Sequence, residues 1–452
     1  MTITSRELAS LTPWQEGAPE PGPALAGEVS TDVCIIGAGY TGLSSALALR
    51  REGFDVVVLE ADAIGFGASG RNAGHLTPTI GKDLPTLLKM YSLERVRALL
   101  HLQETAISHV EGLIREHGID CEYEATGTVV AAVHPRQHAA IDRAAEAAAK
   151  LGVPGELLDE SGMDRRGLPR AFTRGYFEPH GGVLHPGRYV RGLGDAARRA
   201  GARVFEGSCV TAIDEGSPAL VTTSGGTVRA RYVVIGTNAY TPQLGRLKTA
   251  GTRIQVQLFK TEPLSRDQLE AVGWPGREGI YTAHELLESY RLTARNEIVG
   301  GSKHVRAGFG TKVLADVDET VASRIEAVFY ERFPELKSVR IARRWGGPIF
   351  LCLDFLPVVG RSANCGSVLH SVAYAGHGVA LASYAGEMVA DMVLERDGPG
   401  RVLWERWNVP TPPEPLRWLA FQAITRFLLA VDRRADASAP RRRIDGGGAS
   451  RA

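Results

Sequence analysis

The stretch DVCIIGAGYTGLSSALALRREGFDVVVLEADAIGFGASGR, residues 32–71, decides the fold of this chain. It begins with an apolar run rich in β-branched residues, which is typical of a buried parallel strand. Three glycines in the spacing GxGxxG follow, and a segment with helical periodicity comes after them: Gly37, Gly39, Gly42 and residues 43–50. The glycines permit a tight turn, close approach of a pyrophosphate, and close packing of helix on strand. The stretch therefore predicts a βαβ unit that binds a dinucleotide at the helix N-terminus.

An acidic residue closes the second strand of this unit. The buried run 55–59 leads into Glu60, about 20 residues beyond the glycines. A carboxylate at this position accepts hydrogen bonds from ribose hydroxyls, whereas a basic residue would favour a 2′-phosphate. The sequence thus favours NAD or FAD over NADP. A glycine-rich turn without a ligand is the alternative interpretation of the same pattern.

Composition and charge disfavour several classes of protein. With 452 residues the chain has room for two or three domains, and its 44% hydrophobic and 23% charged residues are typical of a globular protein. The net charge of +1 gives no electrostatic reason to expect nucleic acid or an anionic membrane as the main partner. The five cysteines form no CxxC pair, so neither a disulfide framework nor a metal site is expected. We find no signal-peptide pattern and no run of 18 apolar residues, which predicts a cytoplasmic protein without stable membrane insertion.

A second glycine-dense segment follows the βαβ unit. Residues 61–75 form a loop that is long for a connection in an α/β fold, and it carries Ser69, Arg71, Asn72 and His75. Loops at the carboxyl ends of parallel strands are where α/β proteins bind their ligands. We therefore expect these side chains near a bound ligand. A surface loop without a functional role is the alternative.

Buried and alternating runs further along the chain predict a mixed α/β (α+β) fold with a discontinuous Rossmann-like domain. The run 232–236 is a second buried strand, which we expect to return to the first sheet. Between 251 and 349 the strands alternate with one helix, which is typical of an antiparallel sheet covered on one face. The predicted division is an N-terminal arm, 1–31; the dinucleotide-binding domain, 32–82, 152–245 and 350–400; a substrate domain, 83–151 and 246–349; a linker and helix, 401–434; and a disordered tail, 435–452.

The two ends of the chain are expected to lie outside both domains. The N-terminal arm is rich in proline and glycine and is predicted to be extended, with Trp14 anchoring it on the domain surface. Near the C-terminus, residues 416–431 form a mostly apolar helix with a narrow polar face. We expect this helix to dock on the body of the protein rather than on a membrane surface. The tail after it is basic and rich in glycine and serine, which favours disorder.

Five motifs together resemble the D-amino-acid oxidase superfamily of flavoproteins: GAGYTGL, VVVLEA, GFGASGRNAGH, RRWGG and AGHGVALASYAGE. Within it the sequence is similar to the γ-glutamylputrescine oxidase, sarcosine oxidase and glycine oxidase branches, over about residues 14–400. The resemblance implies FAD as the cofactor, held by Gly37, Gly39, Tyr40, Thr41, Gly42, Glu60, Ala61, Ser69, Gly70, Arg71, Asn72, Gly74, Val210, Gly236, Gly347, Gly376, His377, Gly378 and Val379. It also implies non-covalent attachment, because the residues that carry flavin in some relatives correspond to Gly347 and Asn72.

The resemblance also brings out two departures in the substrate site. Sarcosine oxidases hold the substrate carboxylate with a lysine, and the matching position here is Ala380. Glycine oxidases use an arginine, and the matching position here is Leu353. Because a buried carboxylate needs a paired cation, both departures disfavour simple α-amino acids. They favour a primary or secondary amine, such as a γ-glutamylputrescine-like or N-alkyl amine.

The chain contains one phosphate-binding fingerprint, so the reducing equivalents are expected to come from the substrate and not from NAD(P)H. The implied reaction is FAD-dependent oxidation of a C–N bond to an imine, which water hydrolyses, with O2 reduced to H2O2. Three alternatives keep the fold: a dehydrogenase using another acceptor, a biosynthetic tailoring oxidase for a larger amine, and a non-catalytic FAD-binding module. An NAD-dependent dehydrogenase shares the glycine fingerprint but leaves the other motifs unexplained. The sequence does not predict the oligomeric state.

Four residues are candidates for a catalytic role: His75, His377, Trp345 and Lys260. His75 could orient the substrate or favour its deprotonation, and His377 could act as an electrostatic group near the flavin. Lys260 could promote oxygen reduction through its positive charge. Trp345, Tyr281 and Tyr290 could form aromatic walls around an alkylamine. Packing in the core or on the surface is the alternative for each of them.

Further charged residues could recognise the far end of a longer amine. Glu285 and Glu288 are candidates for a distal ammonium group, and Arg343 or Arg344 for a distal carboxylate. Solvated side chains are the default interpretation of the two glutamates, and Arg343 and Arg344 are expected on a strand, facing opposite sides.

Overall fold

The computed structural model describes residues 4–310, 312, 314–404 and 407–436. Within them the strands are β1 (Gly27–Ile36), β2 (Val56–Leu59), β3 (His75–Leu76), β4 (Thr128–Ala132), β5 (Glu156–Leu158), β6 (Arg174–Glu178), β7 (Gly182–Val183), β8 (Arg203–Phe205), β9 (Val210–Asp214), β10 (Ala219–Thr223), β11 (Gly226–Ile235), β12 (Thr252–Thr261), β13 (Gly279–Thr282), β14 (Glu288–Leu292), β15 (Ile298–Ser302), β16 (Arg306–Ala307), β17 (Ile341–Leu351), β18 (Val358–Arg361) and β19 (Val368–Val372). The helices are α1 (Ser5–Leu11), α2 (Tyr40–Arg51), α3 (Leu84–Met90), α4 (Leu93–His117), α5 (His138–Leu151), α6 (Glu160–Arg165), α7 (Pro186–Arg199), α8 (Arg266–Val272), α9 (Glu319–Arg332), α10 (Gly378–Leu394), α11 (Arg401–Trp404) and α12 (Leu416–Asp436).

The predicted βαβ unit forms the centre of an eight-stranded sheet. Its main path runs β18–β19–β11–β1–β2–β8, with β9 and β10 as an antiparallel extension on β11. β1 is parallel to both β2 and β11, so that Ile36 pairs with Leu59 and Ile235. The mixed α/β fold is therefore confirmed, and so is the return of the run 232–236 to the first sheet.

Four helices share a hydrophobic core with this sheet. α2, α4, α7 and α10 share one core with β1 and β2, in which Val33, Leu43, Leu102 and Met388 are fully buried. α4 thus belongs to the core of the first sheet, packed on α10 and α7, whereas the sequence placed residues 83–151 with the second. The difference arises because an amphipathic helix shows which face is apolar but not which sheet will cover that face.

A second sheet contains nine strands. Its path is β16–β12–β15–β14–β13–β4–β6–β5, with β17 paired to β12. All neighbours are antiparallel except β4 and β13, and α9 packs on one face through Phe329 against Phe259. The antiparallel character is as predicted, but β5 and β6 join this sheet although 152–245 was assigned to the first domain. The remaining domain boundaries stay a prediction.

The N-terminal arm is partly helical rather than extended. Thr4 and Glu7 form a capping box that begins α1, and a single 3-10 turn, Pro13–Gln15, follows. Trp14 is buried, and its Nε1 donates to the carbonyl oxygen of Asn72 at 2.8 Å. Trp14 therefore anchors the arm, as expected, directly on the loop 61–75.

The C-terminal helix is docked on the second sheet. Trp418 Nε1 donates to the carbonyl oxygen of Ala307 at 3.3 Å, and the Asp436 carboxylate accepts a hydrogen bond from Lys303 Nζ at 2.9 Å. The helix thus continues through residues 435 and 436, which were predicted to belong to a disordered tail. The rest of that predicted tail, 437–452, lies outside the described residues. Among the helices of the described ranges, none has the length and apolar character needed to cross a bilayer.

Candidate active site

The loop after β1 tolerates no side chains at its key glycines. Gly37 adopts a φ of +102°, a conformation that favours glycine, and its N–H donates to Leu59 O at 2.8 Å. A Cβ at Gly42 would lie 1.8 Å from Gly37 O, and a Cβ at Gly39 would lie 2.7 Å from Ser69 Oγ. The bare backbone at the start of α2 leaves room for a phosphate group.

Glu60 follows β2 beside this loop. Its carboxylate accepts hydrogen bonds from the N–H groups of Ala38 at 2.7 Å and Asp62 at 3.2 Å, and burial raises its pKa to about 7. The N–H of Ser208 donates to the carbonyl oxygen of Glu60 at 2.7 Å, which brings the segment leading to Val210 alongside. A buried carboxyl group therefore stands at the position where the sequence predicts contact with a ribose.

Hydrogen bonds that involve the side chains of Ser69 and Asn72 hold the loop 61–75 against α2. Tyr40 N–H donates to Ser69 Oγ at 2.9 Å, and Asn72 Nδ2 donates to Tyr40 OH at 3.2 Å. Gly74 N–H donates to Asn72 Oδ1 at 2.8 Å. The Thr41 hydroxyl shares a hydrogen bond of 2.7 Å with Tyr374 OH. The side chains of Tyr40, Thr41 and Asn72 therefore shape this binding region from within the protein.

A cavity of about 610 Å³ lies where this loop meets the second sheet and α10. The loop contributes residues from Ala68 to His75, the strands β12 and β17 contribute Val256 and Gly347, and α12 closes one side. Most of the lining is apolar. The cavity is larger than a flavin-sized planar ring alone would need, so it also has room for a substrate.

Arg71 connects the loop to the second sheet beneath this cavity. Its guanidinium contacts Asp316 at 2.7 Å and donates to the carbonyl oxygens of Phe66 and Gly346 at 2.7 and 3.2 Å. A Cβ at Gly347 would lie 3.1 Å from Arg71 Cδ. The approach of β17 to the loop therefore depends on a glycine at this position.

His75 faces the cavity without a hydrogen bond in the described part of the chain. Both ring nitrogens are buried and unpartnered, and the ring lies 4.6 Å from that of Tyr281. Burial, with a smaller contribution from Arg291, lowers the pKa of His75 to about 3. The imidazole is therefore neutral at physiological pH. It can orient a polar group in the cavity, but it is a weak base.

His377 stands before the first turn of α10 and also lines the cavity. Its backbone N–H donates to Tyr374 O at 2.9 Å, while Nδ1 has no partner among the described residues. Burial and the charge of Lys82 lower the pKa of His377 to about 4. Two neutral, unpartnered imidazoles thus border the same cavity.

Comparison with known proteins assigns this arrangement to a family. Residues 32–392 match the family model described as DAO, FAD dependent oxidoreductase. The chain belongs to this family. It is 36% identical over 372 residues to the gamma-glutamylputrescine oxidoreductase of Escherichia coli strain K12. The matched region covers 81% of this chain and 84% of the relative. It is 25% identical over 371 residues to the glycine oxidase of Bacillus licheniformis. That match covers 80% of this chain and 93% of the relative.

Solved structures show the same fold. The glycine oxidase of Geobacillus kaustophilus has a TM-score of 0.70 and 19% identity, over 82% of this chain and 96% of that one. As a DAO-family protein, the chain is an FAD-dependent oxidoreductase that acts on amines or amino acids. Its residues fit the cofactor, since the glycines leave an open cradle and the unpartnered imidazole nitrogens face a cavity of sufficient size.

In this DAO-family site most of the residues predicted to hold FAD lie together. The residues predicted for the ADP half, Gly37, Gly39, Gly42 and Glu60, lie beside Gly236, whose N–H donates to Ile36 O at 2.9 Å. On the other side, the cavity is lined by Arg71, Asn72, Gly74, Gly347, Gly376, His377 and Val379. We infer that these two groups hold the two halves of FAD, without a covalent bond through Gly347 or Asn72.

Three predicted catalytic or substrate residues lie outside the cavity lining. Trp345 is buried and donates from Nε1 to Arg71 O at 2.8 Å, so it supports the loop 61–75. Tyr290 packs in the core behind the sheet and donates to Glu288 at 3.1 Å. Lys260 pairs with Glu297 at 2.8 Å. Tyr281 does line the cavity.

The charged candidates for the distal end of the substrate also divide into residues that line the cavity and residues that do not. Glu288 is buried and saturated by Arg332 and Lys303, and therefore cannot receive a substrate ammonium. Arg343 and Arg344 form exposed ion pairs with glutamates and do not line the cavity. Glu285 lines the cavity and is exposed at its rim.

The sequence interpretation missed two features of the cavity. Lys82 lines it with a half-buried ammonium group, 3.4 Å from the centroid of the Phe355 ring. α12 forms a wall through Phe421, Ile424 and Leu428. The helix itself was predictable from its periodicity, but its position over the cavity depends on contacts more than 100 residues apart, which no local pattern shows.

Proposed function

We propose that this chain oxidises the C–N bond of a primary or secondary amine to an imine, which water hydrolyses, and that O2 is reduced to H2O2. Bound FAD would supply the two-electron acceptor for the substrate. The main support is the cavity wall at Leu353, which is uncharged and lines the site, while Ala380 is buried in the helical core. Neither position offers a cation for an α-carboxylate, which supports an amine over a simple amino acid.

The apolar wall would also select the protonation state of the substrate. Burial disfavours the charged form of an amine, so Ile254, Val256 and Phe421 favour binding of the neutral, oxidisable form. His75 is neutral and has two free ring nitrogens, so it can hydrogen-bond the bound amine without competing for its proton. The protein's task in this proposal is to orient and desolvate the amine.

The charges of the cavity support a substrate that also carries a carboxylate away from the reacting nitrogen. Four cationic side chains line the cavity: Arg71, Lys82, Lys303 and Arg417. Three of them contact carboxylates within 4 Å, whereas among the described residues Lys82 has no such contact. Glu285 lies close enough to raise the pKa of Lys82, which burial lowers. Lys82 and Glu285 together match the carboxylate and ammonium of a γ-glutamyl group.

Steady-state turnover with a substrate panel tests the proposal. Oxygen uptake and peroxide formation would be measured with γ-glutamylputrescine, putrescine, N-methylated amines, sarcosine and glycine. We expect peroxide with the amines, with γ-glutamylputrescine giving the highest kcat/KM, and none with sarcosine or glycine. Faster turnover of glycine or sarcosine than of every amine would overturn the proposal.

A second candidate keeps the same donor but changes the electron acceptor. Lys260, the predicted promoter of oxygen reduction, is neutralised by Glu297 and lies outside the cavity lining, which favours a dehydrogenase. Reduction of a quinone or a carrier protein without oxygen uptake would support this candidate.

The cavity's size is also compatible with a tailoring oxidase for a larger amine. None of the described cysteines forms a disulfide, which supports the predicted cytoplasmic location.

A further inference from the structure

α12 packs on the protein through one face only. On that face Phe421 and Leu428 line the cavity. Near the end of the helix, the Asp432 carboxylate accepts hydrogen bonds from the N–H groups of Glu285 and Leu286 at 2.9 and 3.0 Å. These contacts fix the rotation of the helix about its axis, and so they determine which side chains face solvent.

The side of α12 that faces solvent carries a band of exposed apolar side chains, here called the outer stripe: Leu416, Leu419, Ile424, Phe427 and Val431, of which Ile424 also lines the cavity. Their spacing places them on successive turns of one side of the helix. Phe427 is 67% exposed, and the nearby Phe309, 54% exposed, makes an edge contact with Trp418. Single exposed apolar residues are common on soluble proteins, but a continuous band marks an interaction site.

The exposed charges of this helix are all basic: Arg426, Arg433 and Arg434. Its two acidic residues, Asp432 and Asp436, are bonded to the second sheet instead. Three further arginines, 441–443, follow in the sequence. The chain's net charge of +1 therefore conceals an excess of exposed basic side chains on α12 itself.

We propose that the outer stripe docks α12 on the surface of an anionic lipid bilayer. The apolar side chains would enter the boundary between headgroups and acyl chains, and the arginines would contact lipid phosphates. This combination of an apolar face with flanking basic residues is the pattern of a helix that lies in the membrane interface. The proposal is independent of the substrate, because most of the outer stripe does not line the cavity.

Charge favours a bilayer over a second copy of the chain as the occupant. A two-fold contact through the outer stripe would bring two sets of arginines close together, and like charges facing each other are destabilising. A bilayer containing anionic lipid accepts both the apolar and the basic side chains. The expected attachment is peripheral and reversible, since no helix of the described residues is suited to crossing the membrane.

Vesicle flotation of the FAD-loaded full chain tests this proposal. We expect the protein to float with phosphatidylglycerol/phosphatidylcholine vesicles at low salt and to remain at the bottom with phosphatidylcholine alone. The double variant Leu419→Ser/Phe427→Ser should abolish flotation. Arg433→Gln/Arg434→Gln should weaken it by about fivefold for each charge removed and reduce its salt dependence.

Matched controls separate docking from folding. Met90→Ser/Leu157→Ser removes two similarly exposed apolar side chains elsewhere and should leave flotation unchanged. Retained flavin absorbance in Leu419→Ser/Phe427→Ser would show that the variant is folded. The proposal is overturned if the wild-type holoenzyme fails to float with anionic vesicles, or if it forms a dimer in solution that the same double variant dissociates.

Discussion

The loop 61–75 and α12 line the same cavity, but different kinds of interaction hold them in place. The loop is fixed by backbone geometry, including positive φ angles at Gly65 and Gly74, and by hydrogen bonds to α2. α12 comes from the other end of the chain and is held by side chains, above all the buried network around Glu288 and Asp436. A loop that is fixed by its backbone conformation tolerates few substitutions, whereas the side chains that hold a helix in place can be replaced by others. We infer that the loop carries the common cofactor and that α12 and its neighbours determine the substrate.

The largest effect is expected at the glycine loop. Gly42→Ala would place its Cβ 1.8 Å from Gly37 O, a contact that no small adjustment can relieve. We expect the purified protein to lack flavin absorbance or to be insoluble. Gly112→Ala is the matched control, because its Cβ would have no neighbour within 4 Å and it lies in the middle of α4. It should bind FAD normally and gain about 0.5–1 kcal/mol of stability. Equal loss of flavin absorbance from Gly42→Ala and Gly112→Ala would refute the special requirement for glycine at position 42.

The network that holds α12 should be the next most sensitive. Glu288 is buried and contacts Lys303 at 2.6 Å and Arg332 at 2.9 Å. Glu288→Gln leaves these cations partly uncompensated, which typically costs about 3 kcal/mol. We expect a lower melting temperature and protease cleavage near α12. Glu270→Gln, which breaks an exposed pair with Arg266, should melt like the wild type.

Acid should weaken the same network through Asp436. Burial opposes its ionisation, but the hydrogen bond with His284 and the charges of Lys303 and Arg332 hold its pKa well below the usual range. A depressed folded-state pKa stabilises the protein above the unfolded pKa, about 3.9, and this contribution is lost as the pH falls through the folded value. The difference in melting temperature between wild type and Asp436→Asn should be constant from pH 5 to 8 and shrink below about pH 4. A difference that disappears near pH 6 would contradict the assignment.

A smaller effect, restricted to one class of substrate, is expected at Lys82. Lys82→Met keeps most of the side-chain volume but removes the charge that we assign to a distal carboxylate. The KM for γ-glutamylputrescine should rise about tenfold, as loss of a charged hydrogen bond predicts, while the KM for putrescine should change little. Lys89→Met, at an exposed position on α3, is the control. A similar rise for both substrates would show that Lys82 supports the cavity without recognising the carboxylate.

The smallest effect is expected at His75. Because its pKa is lowered to about 3, we expect no ionisation of His75 in the pH profile between pH 5 and 9. His75→Gln should reduce kcat/KM by about two- to tenfold, the value of one neutral hydrogen bond, without changing the shape of the profile. Removal of an inflection near neutral pH would instead identify His75 as a general base.

Local sequence patterns were sufficient for the first sheet and the loop after β1. The GxGxxG spacing, Glu60 and the buried strand 232–236 depend on neighbouring residues, and the structure places them as the pattern indicates. The positions of Tyr281 and Tyr290 depended on strand register, which the sequence does not show. In β13 and β14, Ile280 pairs with Tyr290 on the core side, and Tyr281 pairs with Ser289 on the cavity side.

Long-range contacts account for the remaining errors. Lys260 could be placed on a strand but not matched with Glu297, its partner on the neighbouring segment. Lys82 lay in a connection without a recognisable motif, and only the folded chain brings it to Phe355 and His377. Residues that determine the substrate are therefore harder to predict here than residues that bind the cofactor.

The most direct test of the account is the visible spectrum of the FAD-loaded protein under anaerobic conditions, titrated with each member of the amine and amino-acid panel. Reduction by the substrate alone bleaches the flavin band, without interference from the electron acceptor. We predict bleaching by γ-glutamylputrescine or a related amine, and none by glycine or sarcosine. Bleaching by glycine or sarcosine but by no amine would contradict the account, because a cation of the cavity would then have to hold an α-carboxylate although Leu353 and Ala380 offer none.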